Sequence, residues 1–129
     1  MARKASSQPT EVELEILNVL WDRGPSTVSQ IHDVLKQRRK PGLSTTLKMV
    51  QVMTEKGLLI KDEEQRPQVF RPAMSRTHAQ VSLVDDLMQR AFGGAVDRLV
   101  MAALESKRVS KKEIEQIKKL IGEFERGRK

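Results

Sequence analysis

Helix-breaking residues fall at Gly24-Pro25, Pro41-Gly42 and Gly57, cutting the front of the chain into three segments of about a dozen residues each. None approaches the roughly 20 apolar residues needed to span a bilayer. Each segment carries its own start signal and apolar stripe. Thr10 stands three residues before Glu13, a capping-box spacing, and Val12, Leu14, Ile16, Leu17, Val19, Leu20 and Trp21 follow. Gly24 offers a left-handed stop and Pro25 forbids continuation. Ser26 or Thr27 caps a second helix whose stripe is Val28, Ile31, Val34 and Leu35. That helix runs into Arg38-Arg39-Lys40 before Pro41-Gly42 ends it. Ser44 and Thr45 open a third helix, with Thr46, Met49, Val50 and Met53 facing inward. Three short helices broken in this way match a helix-turn-helix.

The pattern changes after Gly57. Leu58 to Lys61 reads as a strand, Asp62 to Pro67 as a charged loop, and Gln68 to Arg71 as a second strand closed by Pro72. A strand pair directly behind a third helix is the wing of a winged helix. Beyond Pro72, Ser75 to Phe92 predicts a helix bearing Val81, Val84, Leu87, Met88 and Ala91, stopped by Gly93-Gly94. Val96, Leu99, Val100, Ala103 and Leu104 mark a further helix. Ser110 and Glu113 form another capping box ahead of Ile114, Ile117, Leu120, Ile121 and Phe124. Three short amphipathic helices in about 55 residues cannot bury their stripes within one chain, so a second copy is expected to cover them.

The expected architecture is therefore mainly α with a small β wing. Residues 1–9 form a basic tail, 10–72 a winged helix-turn-helix DNA-binding domain, and 73–129 a three-helix dimerisation domain. Leu83, Leu87, Phe92, Leu99, Val100, Leu104, Ile114, Ile117, Leu120 and Ile121 are assigned to the dimer surface.

Charge points to the partner. Among 129 residues, 24 Lys and Arg stand against 17 Asp and Glu, a formal +7, which favours a polyanion such as nucleic acid. The excess is shared: twelve cations against nine carboxylates up to residue 72, and twelve against eight beyond. Charge alone does not locate the binding face. Aromatic residues are 3%, namely Trp21, Phe70, Phe92 and Phe124, too few for base-stacking platforms. The absence of cysteine excludes disulfides, zinc fingers and thiol catalysis. With only His32 and His78 as nitrogen ligands, neither a metal nor a cofactor is expected. Met1 to Ser7 are polar and basic with no apolar run behind them, so no signal peptide is read and a cytoplasmic location is expected. Glu11, Glu13 and Glu15 read as solvated rows of the first helix, His78 as a surface residue and the methionines as core filler. No catalytic residue is assigned, and an enzyme is not expected.

The third helix carries the chemistry. Ser44, Thr45, Lys48 and Gln51 lie at i, i+1, i+4 and i+7, opposite the inward stripe. Ser and Thr reach phosphates or base edges, Gln spans two positions on adenine, and Lys serves guanine or phosphate. The helix N-terminus itself favours a phosphate. Arg38, Arg39 and Lys40 would add sequence-independent phosphate contacts, and Thr27, Arg66 and Arg71 complete the candidate DNA-binding set. Glu63 and Glu64 oppose close approach at the wing loop. The same residues also fit a solvated helix face, a winged-helix adaptor docking a protein, or a DNA binder without sequence preference.

"PTEVELEILNVLW" (Pro9 to Trp21), "GLSTTLKMVQVMTEKGLL" (Gly42 to Leu59), "VFRP" (Val69 to Pro72) and "AFGGAVDRLVMAAL" (Ala91 to Leu104) resemble the BlaI/MecI family of penicillinase repressors, in order and over nearly the whole chain. The resemblance implies a winged-helix repressor that binds a palindromic operator as a homodimer. By alignment of "STTLKMVQ", it implies DNA reading by Ser44, Thr45, Lys48 and Gln51. It further implies a membrane-bound sensor metalloprotease that ends repression by cutting the dimerisation domain. Well-known members are cut at an Asn-Phe bond after "Leu-Val-Leu"; here the matching stretch is Leu99-Val100-Met101-Ala102-Ala103, which puts the bond at Ala102-Ala103. The copper-responsive branch, which uses C-terminal cysteines, does not fit a chain with none.

Overall fold

A computed structural model describes residues 8–38 and 41–128. Arg39, Lys40 and the tail cations Arg3 and Lys4 lie outside the described residues. The described chain forms α1 (Glu11–Arg23), α2 (Val28–Leu35), α3 (Leu43–Glu55), β1 (Leu59–Asp62), β2 (Val69–Pro72), α4 (Arg76–Ala91), α5 (Val96–Ser106) and α6 (Lys111–Arg128). This is a mainly helical chain with one small antiparallel sheet: a winged helix followed by further helices.

Local sequence accounts for the helix ends. The Thr10 hydroxyl accepts from the Glu13 N–H at 3.2 Å while the Glu13 carboxylate accepts from the Thr10 N–H at 2.9 Å. Thr27 rather than Ser26 caps α2, with Gln30 as its reciprocal partner. Gly24 ends α1 at φ 92°, and its N–H reaches Leu20 O at 2.8 Å. That φ is open to glycine at little cost. Helix α3 begins at Leu43, earlier than expected, because the Gly42 carbonyl already accepts from the Thr46 N–H at 3.1 Å. Ser44 and Thr45 thus sit inside the first turn instead of capping it.

The stripes of the three helices meet in one core. Ile16, Leu17 and Leu20 of α1 pack with Ile31 and Leu35 of α2, and with Val50 and Met53 of α3. Leu58, Leu59 and Phe70 close it from the wing side. Both strands start one residue later than expected, pairing Leu59 with Pro72 and Asp62 with Val69. Pro72 is tolerated there because its pair with Leu59 is a non-hydrogen-bonded one; the next N–H, that of Ala73, donates to Leu58 O at 2.9 Å. Ser26 adds a bridge to Phe70: its N–H donates to Phe70 O at 3.0 Å, and the Phe70 N–H donates back at 2.8 Å. The Ser26 hydroxyl turns to Gly24 O, so this buried residue is fully used by the backbone around it.

The reading of Glu13 as a solvated carboxylate is corrected. Glu13 is buried and takes Lys56, just past the end of α3, at 2.8 and 3.1 Å. Burial pushes its carboxyl up. The Lys56 and Thr10 hydrogen bonds and the Lys56 charge outweigh this and hold it below the usual glutamate range. A depressed folded-state pKa stabilises the fold above the unfolded-state value, and that contribution is lost as pH falls through the folded-state value. Glu13→Gln is expected to cost about 1–3 kcal/mol at neutral pH in urea unfolding. The gap between variant and parent should narrow on acidification below the glutamate range.

Two compact units divide at Val84/Asp85, inside α4. The first therefore continues past Pro72. Trp21 Nε1 donates to Met74 O at 3.1 Å, and Arg76 lies over the Trp21 ring at 5.6 Å while pairing with Asp22. Ala79 is buried, and Gln8 Nε2 donates to Ser82 Oγ at 2.9 Å. In the second unit, Gly93 and Gly94 take positive φ between α4 and α5, and the Ser110–Glu113 box starts α6. No described side chain of α5 or α6 is buried.

Candidate nucleic-acid interface

The packing of α3 determines what it can offer. Thr46, Val50 and Met53 are fully buried and Met49 is half-buried, which fixes the opposite face outward. Ser44, Thr45, Lys48 and Gln51 are all exposed there, so the four candidates share one helix face. Glu55 is also exposed and continues the Ser44–Lys48–Gln51 row by one more turn. A carboxylate there repels phosphate, which leaves the first two and a half turns as the part that can approach a polyanion. No side chain caps the first turn at Gly42.

Leu43, Leu47 and Val52 are exposed on α3 as well, at 51%, 41% and 38%. Apolar periodicity alone does not mark them as surface groups, although Leu47 falls outside the inward stripe of Thr46, Met49, Val50 and Met53.

A second missed feature holds the start of α3. The buried Thr46 hydroxyl donates to Gly42 O at 3.3 Å and lies 3.2 Å from His32 Nδ1. With its proton committed to Gly42, Thr46 accepts from a His32 Nδ1–H. This ties α2 to the first turn of α3, a positioning role for His32 that the sequence pattern did not mark.

The remaining candidates are more scattered. Arg38 is exposed just past α2. Thr27 uses its hydroxyl oxygen as the α2 cap. Arg66 is turned back on the wing loop, where Nη1 donates to the carbonyls of Glu63 and Gln65. Arg71 is exposed on β2, opposite Ile60. The Gln65 amide and the Glu64 N–H donate to the Asp62 carboxylate and, helped by the Arg71 charge, hold it below the usual range. These bonds close the wing tip around a negative cluster.

Of the dimer candidates, Leu87, Val100, Leu104, Leu120 and Ile121 are exposed in the single chain, while Leu83, Phe92, Leu99, Ile114 and Ile117 are half-buried. Val96, Met101 and Phe124 are exposed too. Ala102 and Ala103 lie inside α5.

Residues 9–123 match the model of a family described as penicillinase repressor. The chain belongs to the penicillinase repressor family. It is 27% identical over 119 residues to the transcriptional regulator BlaI of two Mycobacterium tuberculosis strains, covering 91% of this chain and 85% of the relative. It is 21% identical over 126 residues to a penicillinase repressor of Bacillus licheniformis, covering 98% of both. Members of the penicillinase repressor family are transcriptional repressors, DNA-binding regulators and not enzymes. No helix among the described residues is long and apolar enough to cross a membrane.

Proposed function

We propose that this repressor acts as a homodimer on a palindromic operator, each subunit placing α3 in a major groove. The observation that carries the reading is the single outward face of α3, where Ser44, Thr45, Lys48 and Gln51 are exposed above a fully buried Thr46, Val50 and Met53. Such a face lets short polar groups and a cation reach base edges while the core holds the helix in place. Arg38, Arg39, Lys40, Thr27, Arg66 and Arg71 serve the phosphates flanking it. The wing contributes through Arg71 and through Arg66 once that side chain leaves its loop carbonyls. The regulated genes are of the β-lactamase type or related stress genes.

The apolar stripes of α5 and α6 support a second copy as the cover of residues 73–129, with two-fold symmetry setting the half-site spacing. Repression ends when that dimer weakens. Linkage of two weak readers raises their joint affinity by roughly 10²–10⁴-fold, so losing it silences the protein with α3 untouched. One route is cleavage at Ala102-Ala103 by a membrane-bound sensor metalloprotease. That bond is helical and must unwind locally to enter a protease.

The reading is tested with the purified full chain. Light scattering at micromolar concentration should give the mass of two subunits. Duplex binding should weaken steeply with salt and prefer the operator over scrambled DNA by roughly 10³-fold or more. A one-subunit mass contradicts the dimer. Equal affinity for scrambled duplexes makes the protein a non-specific binder, and no duplex binding makes it a protein adaptor.

A further inference from the structure

We infer that Leu47 is a specificity-determining residue that reads a thymine methyl group in each operator half-site. The inference rests on the proposal that α3 reads DNA. Single exposed leucines are ordinary on protein surfaces. Leu47 differs in its neighbours. It flanks the Ser44–Lys48–Gln51 row on the Gln51 side, is 41% exposed, and has Leu43 one turn before it at 51%. The buried row of Thr46, Val50 and Met53 leaves Leu47 no route into its own core.

An apolar group in a major groove meets only one apolar feature on the base edges, the C5 methyl of thymine. Apart from bare C–H positions such as cytosine C5–H, the other groups there are hydrogen-bond donors or acceptors, which an aliphatic side chain cannot satisfy. Gln51 stands one turn after Leu47, with side-chain roots about 5–6 Å apart, while stacked bases are about 3.4 Å apart. The two side chains therefore address the same or neighbouring base pairs. A glutamine suits the N6 and N7 edge of adenine. Leucine on a thymine methyl beside glutamine on an adenine describes an A·T-containing step, and the half-site is assigned one at the position facing Leu47.

Replacing thymine with deoxyuridine removes that methyl and nothing else. The probe is a palindromic duplex selected from randomised DNA by the full-length protein, with each symmetric pair of thymines replaced in turn. One methyl withdrawn from an apolar contact is worth about fourfold in affinity, so one symmetric pair should cost about tenfold or more. In Leu47→Ala the same substitution should cost less than twofold. Lys48→Ala should bind every duplex more weakly yet keep the deoxyuridine loss, which separates methyl reading from general weakening. If the parent protein loses no affinity at any thymine pair, or Leu47→Ala loses as much as the parent, the assignment to Leu47 is overturned while the repressor reading stands. If selection enriches no sequence, the proposal that α3 reads DNA fails, and this inference fails with it.

Discussion

Ile121→Glu is expected to leave a folded monomer that no longer holds its operator. Ile121 is 54% exposed in the single chain, so the substitution removes little from any core within the subunit. It stands on the α6 stripe with Ile114, Ile117 and Phe124, near its middle. A glutamate there must either lose its water or keep two subunits apart, and desolvating an unpaired carboxylate costs far more than the contacts it replaces. Light scattering should then give half the parent mass with helical content retained. Operator affinity should fall by about 10²–10⁴-fold, the gain that linkage of two half-site readers provides. Retained dimer mass, or unchanged affinity in a monomer, would contradict the assignment of α6 to the dimer.

Lys48→Ala, in the first unit, is expected to have the second large effect. Lys48 is exposed on the turn of α3 between Ser44 and Gln51, away from the buried row. Its loss should leave thermal unfolding within about 0.5 kcal/mol of the parent, as for other surface substitutions. Binding should respond twice, because a dimer carries two copies. A base-edge contact is worth about 1–3 kcal/mol, so two copies should cost between about 30-fold and 10⁴-fold on the operator. If Lys48 contacts phosphate instead, scrambled duplexes weaken in parallel and the salt slope drops by about one per subunit. Titrations of operator and scrambled duplex at several salt concentrations separate the two. No change in either would remove Lys48 from the interface.

The parts of the fold legible in the sequence are those written locally. The Thr10–Glu13, Thr27–Gln30 and Ser110–Glu113 boxes span three residues each, and the stripes of α1, α2 and α3 repeat within one or two turns. The outward face of α3 was legible for the same reason, since burying Thr46, Val50 and Met53 leaves Ser44, Lys48 and Gln51 on the opposite side. Contacts between residues far apart in the chain left no such trace. Glu13 meets Lys56 across 43 positions, Trp21 meets Met74 across 53, and Ser26 pairs with Phe70 across the sheet. Each depends on where helices and strands come to rest, which periodicity does not encode. The His32–Thr46 bond is intermediate, crossing 14 positions and one turn. It was hidden because Thr46 reads as an inward small residue and not as a hydrogen-bond hub. Arg66 shows the reverse case: a cation that sequence places at a groove is spent on its own loop carbonyls.

The central claim, a dimer reading a two-fold operator through α3, is tested most directly by footprinting the purified protein on its own upstream DNA at two salt concentrations. The account predicts a protected palindrome, with half-sites one or more helical turns apart, that persists at the lower salt and fades at the higher. Protection spread evenly along the fragment, or none at either salt, would contradict it.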